Sequence, residues 1–410
     1  MERHTIMSKK KANNEGSIVK RKDGRYMGRY TLNNKRYAIY GNTYDEVRIK
    51  LTEVLANIDK GIHSICSEKT ISLWLKEWLE IYALPTVKQS TYVSYESYAR
   101  LHLSPELGAI KLTTLSIEQL QRFFNQKQKS LSPKTLRNIY NMLHICLEQA
   151  IINGYLLHNP LSGVKLPPVP KKEITILNTS EQSALHSAVM HSTTPAAFGI
   201  IFTLSTGIRL GELLGLRWSD VNYINHTIHI RRTVGRLQKV DESGNLIKKN
   251  SGTPTTEIVT RSPKSATALR TIPLFSEVWS DLMSYAQKQK ELLGTRQTPD
   301  TPIFSTVSGA IYEPRTYEDL FKRTLKAANL PNINFHALRH TFATRALEAG
   351  MDIKVLSAIL GHAQTSTTLN LYAHALPDHK KDSMDKMGAF YGTLTYTNAY
   401  PLVSNLASNL

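Results

Sequence analysis

Along the chain the apolar positions change period several times, and each change marks an element boundary. Residues 17–45, SIVKRKDGRYMGRYTLNNKRYAIYGNTYD, alternate apolar and polar side chains in short runs broken by the turn pairs Asp23-Gly24 and Asn33-Asn34. That pattern predicts a small three-stranded sheet. From Asp45 to Ile58 the period lengthens, and Val47, Leu51, Val54 and Leu55 fall on one face of a helix that can cover one side of the sheet. The other side is left to Lys, Arg and Tyr.

From Thr70 to about Leu166 helical spacing takes over in four blocks: ISLWLKEWLEIYA, a stretch around STYVSYESYARLHL, SIEQLQRFFNQ and SPKTLRNIYNMLHICLEQAII. Four such helices make a compact all-α bundle. Ser116 and Gln119 are spaced as a capping box, and Ser132-Pro133 joins an N-cap to a proline at the first helical position. In the last block Leu136, Ile139, Leu143, Leu147 and Ile151 form the expected buried stripe, with Lys134 and Arg137 outward. Residues 167–175, rich in proline and charge, have no period and read as an extended linker. Beyond it Thr179 and Gln182 predict a capped helix. The chain is then mainly helical, with strand-like HTIHIRR, TEIVTRS and LRTIPL, which predicts one α+β domain with a small sheet. The expected organisation is multidomain: 1–66, 67–166, the linker 167–175, 176–386 and a tail 387–410.

Charge narrows the function. Lys and Arg number 51 against 33 Asp and Glu, a net +18, which points to a polyanionic partner. Between Arg3 and Arg36 eleven Lys and Arg face only Glu15 and Asp23. Cys66 and Cys146 lie far apart in no metal-type spacing, and read as packing residues in a reducing compartment. No stretch reaches the roughly 18 apolar residues of a membrane span, and the N-terminus lacks a secretory h-region. A cytoplasmic protein is expected, with no membrane partner. A second methionine, Met7, precedes Ser8-Lys9-Lys10-Lys11 and is an alternative start to Met1.

Four motifs in the last domain have compositions that packing alone does not demand. In TGIRLGELLGLRW, Gly207 breaks an apolar helix and Arg209 opens the next, beside free N–H groups where anions bind. A surface pair with Glu212 is the alternative for Arg209. In HALRHTFATRAL, His336 and Arg339 share a helix face. His336 and His340 also have the spacing of half a zinc site, but the glutamate of the metalloprotease motif is missing and no further ligands are evident, so no metal is expected. In LGHAQTSTTLNLYAH, Asp352 caps the preceding helix, Gly361 stops it, His362 follows in the turn, and a new helix carries Tyr372. A lone tyrosine there reads equally as core. Lys264, in a turn before LRTIPL, completes the set.

Together these residues can perform transfer at a phosphodiester. Two arginines neutralise non-bridging oxygens as charge builds. Histidines move protons near neutral pH, and adjacent cations would favour the phenolate of a tyrosine nucleophile. A phosphotyrosine would retain the bond energy, so religation needs neither ATP nor a metal.

In order and approximate spacing, the four motifs resemble those of the tyrosine recombinase (phage integrase) family. The resemblance extends over nearly the whole chain. The four-helix segment resembles the family's SAM-like core-binding domain, and the basic N-terminus resembles the arm-binding sheet domain of conjugative-transposon and phage integrases. The resemblance implies that Tyr372 is the nucleophile of a 3′-phosphotyrosyl link, with Arg209 and Arg339 as phosphate binders. It implies Lys264 as general acid to the 5′ hydroxyl, His336 and His362 as assistants, and Glu212 as a buttress of Arg209. Double-stranded DNA would be bound at core and arm sites, the latter through Arg25, Arg29, Lys35 and Arg36, with Lys134 and Arg137 on the helical segment. The family further implies a homotetramer on DNA, excisionase and DNA-bending accessory proteins, a bacterial nucleoid setting and no cofactor. Two departures from compact Xer-type members stand out: a longer stretch between Arg209 and Lys264, and a longer step from His362 to Tyr372. A type IB topoisomerase and a catalytically silent DNA-binding regulator are the rival readings, separable by paired-site plasmids and by covalent trapping. A metal-dependent transposase would need converging carboxylates, and no convincing set is evident.

Overall fold

The structure is a computed structural model that describes residues 16–32, 35–59, 69–170, 174–247, 254–262, 269–372 and 379–393. The chain forms two compact units, Met1–Lys171 with Gln238–Thr255, and Lys172–Leu237 with Thr256–Leu410.

The first unit holds two separate cores. Strands β1 (Ser17–Lys20), β2 (Tyr26–Leu32) and β3 (Lys35–Gly41) form an antiparallel meander in that order. Helix α1 (Tyr44–Asp59) covers one face through the buried Val47, Leu51 and Val54, of which Leu51 and Val54 cluster with Tyr30. Glycine at position 28 permits the close approach, because a Cβ there would stand 2.9 Å from Val47. The register puts Arg29 and Arg36 on the opposite, open face, Arg29 opposite Ala38 and Arg36 opposite Thr31.

The second core is the helical bundle. Helix α2 (Ile71–Trp78) passes through a π-helical turn, Leu79–Ala83, into α3 (Leu84–Thr86), and α4 (Gln89–Tyr98) passes through another, Ala99–Leu103, into α5 (Ser104–Leu107). Each wide turn ends two residues before a proline, Pro85 and Pro105. A proline has no N–H and clashes with the carbonyl four residues back, so an extra residue in the turn keeps the helix going. Helices α6 (Ile117–Lys127) and α7 (Pro133–Ile152) complete the four blocks. Ser116 and Gln119 form the capping box, and Ser132 Oγ accepts from the Thr135 N–H at 3.1 Å. Leu136, Ile139, Leu143 and Leu147 are buried on α7 as expected. Met142, Cys146 and Ala150 widen the stripe, whereas Ile151 is only half-buried at the fraying end.

Residues 238–247, expected within the segment 176–386, fold with the bundle instead. Val240 packs on its core, the buried Tyr92 hydroxyl donates to Gly244 O at 2.9 Å, and Gln89 Nε2 donates to Gln238 O at 2.9 Å. A buried phenol needs an acceptor, and this excursion of the chain supplies one.

The second unit comprises α8 (Thr179–Met190), α9 (Phe198–Thr206), α10 (Leu210–Gly215), α11 (Ser276–Leu293), α12 (Pro314–Ala327), α13 (His336–Glu348), α14 (Ile353–Leu360), α15 (Thr365–Tyr372) and α16 (His379–Thr393). Where one small sheet was expected there are two. Strands β4 (Val221–Asn222), β5 (Thr227–Ile230) and β8 (Arg270–Pro273) form one in the order 4-5-8, and β6 (Thr233–Gln238) pairs with β7 (Thr256–Arg261) in the other. Helix α9, apolar all round, is buried against α13 at the centre. The cap of α8 is Asn178 rather than Thr179: its Oδ1 accepts from the Glu181 N–H at 2.9 Å, and Glu181 reaches back to the Asn178 N–H at 2.7 Å. The capping box is therefore one residue earlier than the Thr179 and Gln182 spacing suggested.

Candidate active site

Helix α9 stops at Gly207, whose φ of 64° is left-handed and whose Cβ would lie 2.4 Å from the Phe342 ring. The chain then turns so that Arg209 caps α10. The Arg209 N–H donates to Glu212 Oε2 at 3.0 Å and its Nη1 to Oε1 at 2.8 Å. The helix start expected to be open to an anion is thus occupied, at Arg209, by the chain's own carboxylate. The Arg209 side chain is 37% exposed and has no other partner among the described residues.

Glu212 is 4% exposed and takes a second cation, Arg270, whose Nη2 lies 2.8 Å from Oε2. Burial alone would raise the Glu212 carboxyl, but Arg270 and Arg209 outweigh it and hold it below the usual range. Arg270 also donates to Ile359 O. The sequence reading passed over it, and its signal was an arginine opening the otherwise apolar strand LRTIPL.

Arg339, on α13, is 1% exposed. Its Nη1 donates to Gly207 O at 2.8 Å and its Nη2 to Leu360 O at 2.7 Å, so one guanidinium closes the C-terminal ends of α9 and α14, where helix dipoles are negative. Burial first, then Arg209, lowers its pKa to about 9, which leaves it charged at neutral pH.

His362 follows Gly361, the left-handed cap of α14. Its Nε2 lies 2.8 Å from Arg339 Nη2. A guanidinium can only donate, so Nε2 holds the lone pair and Nδ1 carries the proton, which it donates to Thr368 Oγ1 at 2.7 Å. Burial, followed by Arg339, Arg209 and Arg270, pushes the pKa of His362 down to about 4. Thr368 is fully buried on α15, so this bond ties that helix to the arginines. His336 keeps an exposed face. Partial burial, His340 and the nearby arginines also favour its neutral form.

Tyr372 is 1% exposed, packed with Ala343, Ala346, Leu347, Leu356 and Leu360. Neighbouring cations do not make it acidic as expected: burial outweighs the charge of Arg339 and raises its pKa to about 12. Its hydroxyl lies 2.7 Å from Nδ1 of His340, a residue the sequence reading weighed only as a zinc partner of His336. Those two rings pack edge to face at 4.7 Å.

Lys264 and the side chain of Lys35 lie outside the described residues. Lys134 is exposed and Arg137 half-buried on the first turns of α7. Arg25 is held by Asp23 at 3.0 Å, whereas Arg29 and Arg36 stand exposed on the open sheet face. Chemically, a buried arginine, a half-open arginine and neutral histidines can take up a phosphate oxyanion near a tyrosine hydroxyl.

The phage integrase family model matches residues 171–379, and its N-terminal SAM-like domain matches residues 70–128. The chain belongs to the phage integrase family, the tyrosine recombinases. It is accordingly a site-specific DNA recombinase, built from an N-terminal sheet, a SAM-like helical domain and a catalytic domain. A XerC-like tyrosine recombinase of Caldanaerobacter subterraneus is 29% identical over 370 residues, covering 87% of this chain and 92% of its own length. The transposase of transposon Tn916 from Enterococcus faecalis is 24% identical over 422 residues, covering 93% and 97%. Among solved structures, the Tn1549 transposon integrase in complex with transposon right end DNA matches with a TM-score of 0.63 and 23% identity, over 78% of this chain and 99% of that one. None of the described helices is long and apolar enough to cross a membrane.

Proposed function

We propose that this recombinase serves the integration and excision of a mobile element, cutting DNA through attack of Tyr372 on a phosphodiester. The new P–O bond forms to the tyrosine oxygen, the bond to the 5′ oxygen breaks, and the DNA is held as a 3′-phosphotyrosyl link. Arg209 and Arg339 neutralise the non-bridging oxygens, His336 and His362 hydrogen-bond the phosphate, and Lys264 protonates the leaving 5′ oxygen. Glu212 orients Arg209. The reverse attack by a 5′ hydroxyl reseals the strand without ATP or a metal. The observation that carries this reading is the buried Arg339 guanidinium, hydrogen-bonded to His362 and near enough to Arg209 and Tyr372 for their charges to act on it.

Exchange of four strands calls for a homotetramer on DNA, and excisionase and DNA-bending proteins would bias its direction. The basic segment 1–66, with Arg25, Arg29, Lys35 and Arg36, binds arm sites, and Lys134 and Arg137 in the segment 67–166 contact core DNA. Two tethered binding modules raise the effective concentration of each. The likeness to a transposon's transposase supports a mobile element as the setting.

The test is covalent trapping on a nicked suicide duplex carrying the element's own ends, in EDTA. Wild type is expected to give a denaturation-resistant protein–DNA adduct, and Tyr372→Phe none. DNA binding without an adduct on any end sequence would return the chain to the class of silent regulators.

A further inference from the structure

The reaction described above leaves one proton without an acceptor: the one that Tyr372 loses as it attacks. With the Tyr372 pKa near 12, free phenolate at pH 7 amounts to roughly one part in 10⁵, so waiting for spontaneous ionisation would be slow. A neighbouring base that takes the proton as the P–O bond forms removes that requirement.

Among the described residues the hydroxyl of Tyr372 has one hydrogen-bonding neighbour, Nδ1 of His340, at 2.7 Å. His362, an obvious alternative, is already engaged at both ring nitrogens, with Nε2 on Arg339 and Nδ1 on Thr368. His336 meets the His340 ring at its edge. We propose that His340 is a catalytic residue of this recombinase, the general base that accepts the Tyr372 proton during cleavage and returns it during religation. The proposal deepens the reading of Tyr372 as nucleophile and rests on it.

The step balances. The tyrosine O–H bond breaks and its proton passes to His340 Nδ1, the phenolic oxygen bonds to phosphorus, and the 5′ oxygen departs with a proton from Lys264. On religation the 5′ hydroxyl returns its proton to Lys264, and the imidazolium of His340 reprotonates the departing phenol. The groups facing His340 are Arg339 and His336 on its own helix α13 and Tyr372 on α15. Partial burial, then the charge of Arg339, holds His340 neutral before cleavage, as a base must be. An incoming phosphate would offset Arg339 and make the protonated form easier to reach.

Two variants separate proton transfer from mere anchoring. His340→Ala removes both, whereas His340→Gln keeps a group that can accept the phenol hydrogen bond but cannot take the proton. Single-turnover adduct formation on the nicked duplex is expected to slow about 10²–10⁴-fold in both. The residual rate should climb with pH where wild type levels off, and added imidazole should restore His340→Ala. Wild-type rates in His340→Ala, or full rate with the wild-type pH profile in His340→Gln, overturn the proposal alone. A wild-type chain that forms no Tyr372-dependent adduct overturns it together with the nucleophile assignment.

Discussion

The core of the helical bundle and the centre around α13 exclude water about equally, but they do so with different materials. Around Trp74, Leu103, Phe124 and Leu147 the buried atoms are nearly all carbon, and Trp74 settles its one N–H on Cys146 O at 3.0 Å. Around α13 the buried set includes Glu212, Arg339 and Thr368, held in three hydrogen-bonded groups: Arg209 and Arg270 on Glu212, Arg339 on His362 with His362 on Thr368, and Tyr372 against His340. A carbon core loses area when one member is cut back. A hydrogen-bonded charged group loses the partner of something that cannot be left alone, so its members depend on one another more sharply.

Substitutions in the two regions should expose that difference. Glu212→Gln removes a carboxylate from two arginines and is expected to cost about 3–5 kcal/mol of stability, the price of breaking a buried ionic group on one side. Cleavage should fall too, because Arg209 loses its orientation. Leu136→Ala in the bundle should cost about 3 kcal/mol through transfer and cavity effects, with the single-turnover cleavage rate of the folded fraction unchanged. Urea unfolding and covalent trapping on both variants check this. Equal damage to cleavage from the two would mean that the apolar bundle core and the charged centre support the active site alike.

The same contrast governs what the sequence disclosed. The bundle was readable because burial there follows helical period, and Leu136, Ile139, Leu143 and Leu147 announce their face. What escaped there was backbone detail, the two wide turns, whose cause is the pair Pro85 and Pro105. In the second unit Arg209, His336, Arg339, His362 and Tyr372 stood out as residue types, but their wiring did not. Arg270 reads as a strand residue and His340 as half of a zinc pair with His336, since the partners that give them roles lie far off in the chain, at Glu212 and Tyr372. The acidity of Tyr372 was also misjudged, because sequence names the cations near it and not the depth at which it is packed.

Acid offers a subtler probe of the same centre. His336, His340 and His362 all have folded pKa values below the ordinary 6.5, that of His362 near 4. The unfolded chain therefore binds protons that the folded chain refuses. Their contribution is present above pH 6.5 and is lost as the pH falls from there towards 4. The urea midpoint should drop across that window, and His362→Asn should flatten part of the slope while Leu136→Ala leaves it intact. An unchanged slope in His362→Asn would mean that this histidine gains its proton as readily folded as unfolded.

The smallest effects should come from the open face of the N-terminal sheet, whose charges stand in solvent on the side away from α1. Arg29 and Arg36 are exposed there, and removal of either should change stability by no more than about 0.5 kcal/mol. If they meet arm-site phosphates, each Arg→Ala change should weaken binding on every sequence alike and lower the steepness of the log–log salt dependence by about 1. Arg25 provides the internal control. It already shares Asp23 with Arg21, and Asp23 is held below the usual carboxylate range chiefly by its hydrogen bond from Arg25. Part of its charge is spent within the turn, so Arg25→Ala should reduce the slope less than Arg29→Ala. Salt titrations of arm-site DNA binding decide the order. A larger loss from Arg25 would mean that Asp23 positions this arginine for the groove instead of competing with it.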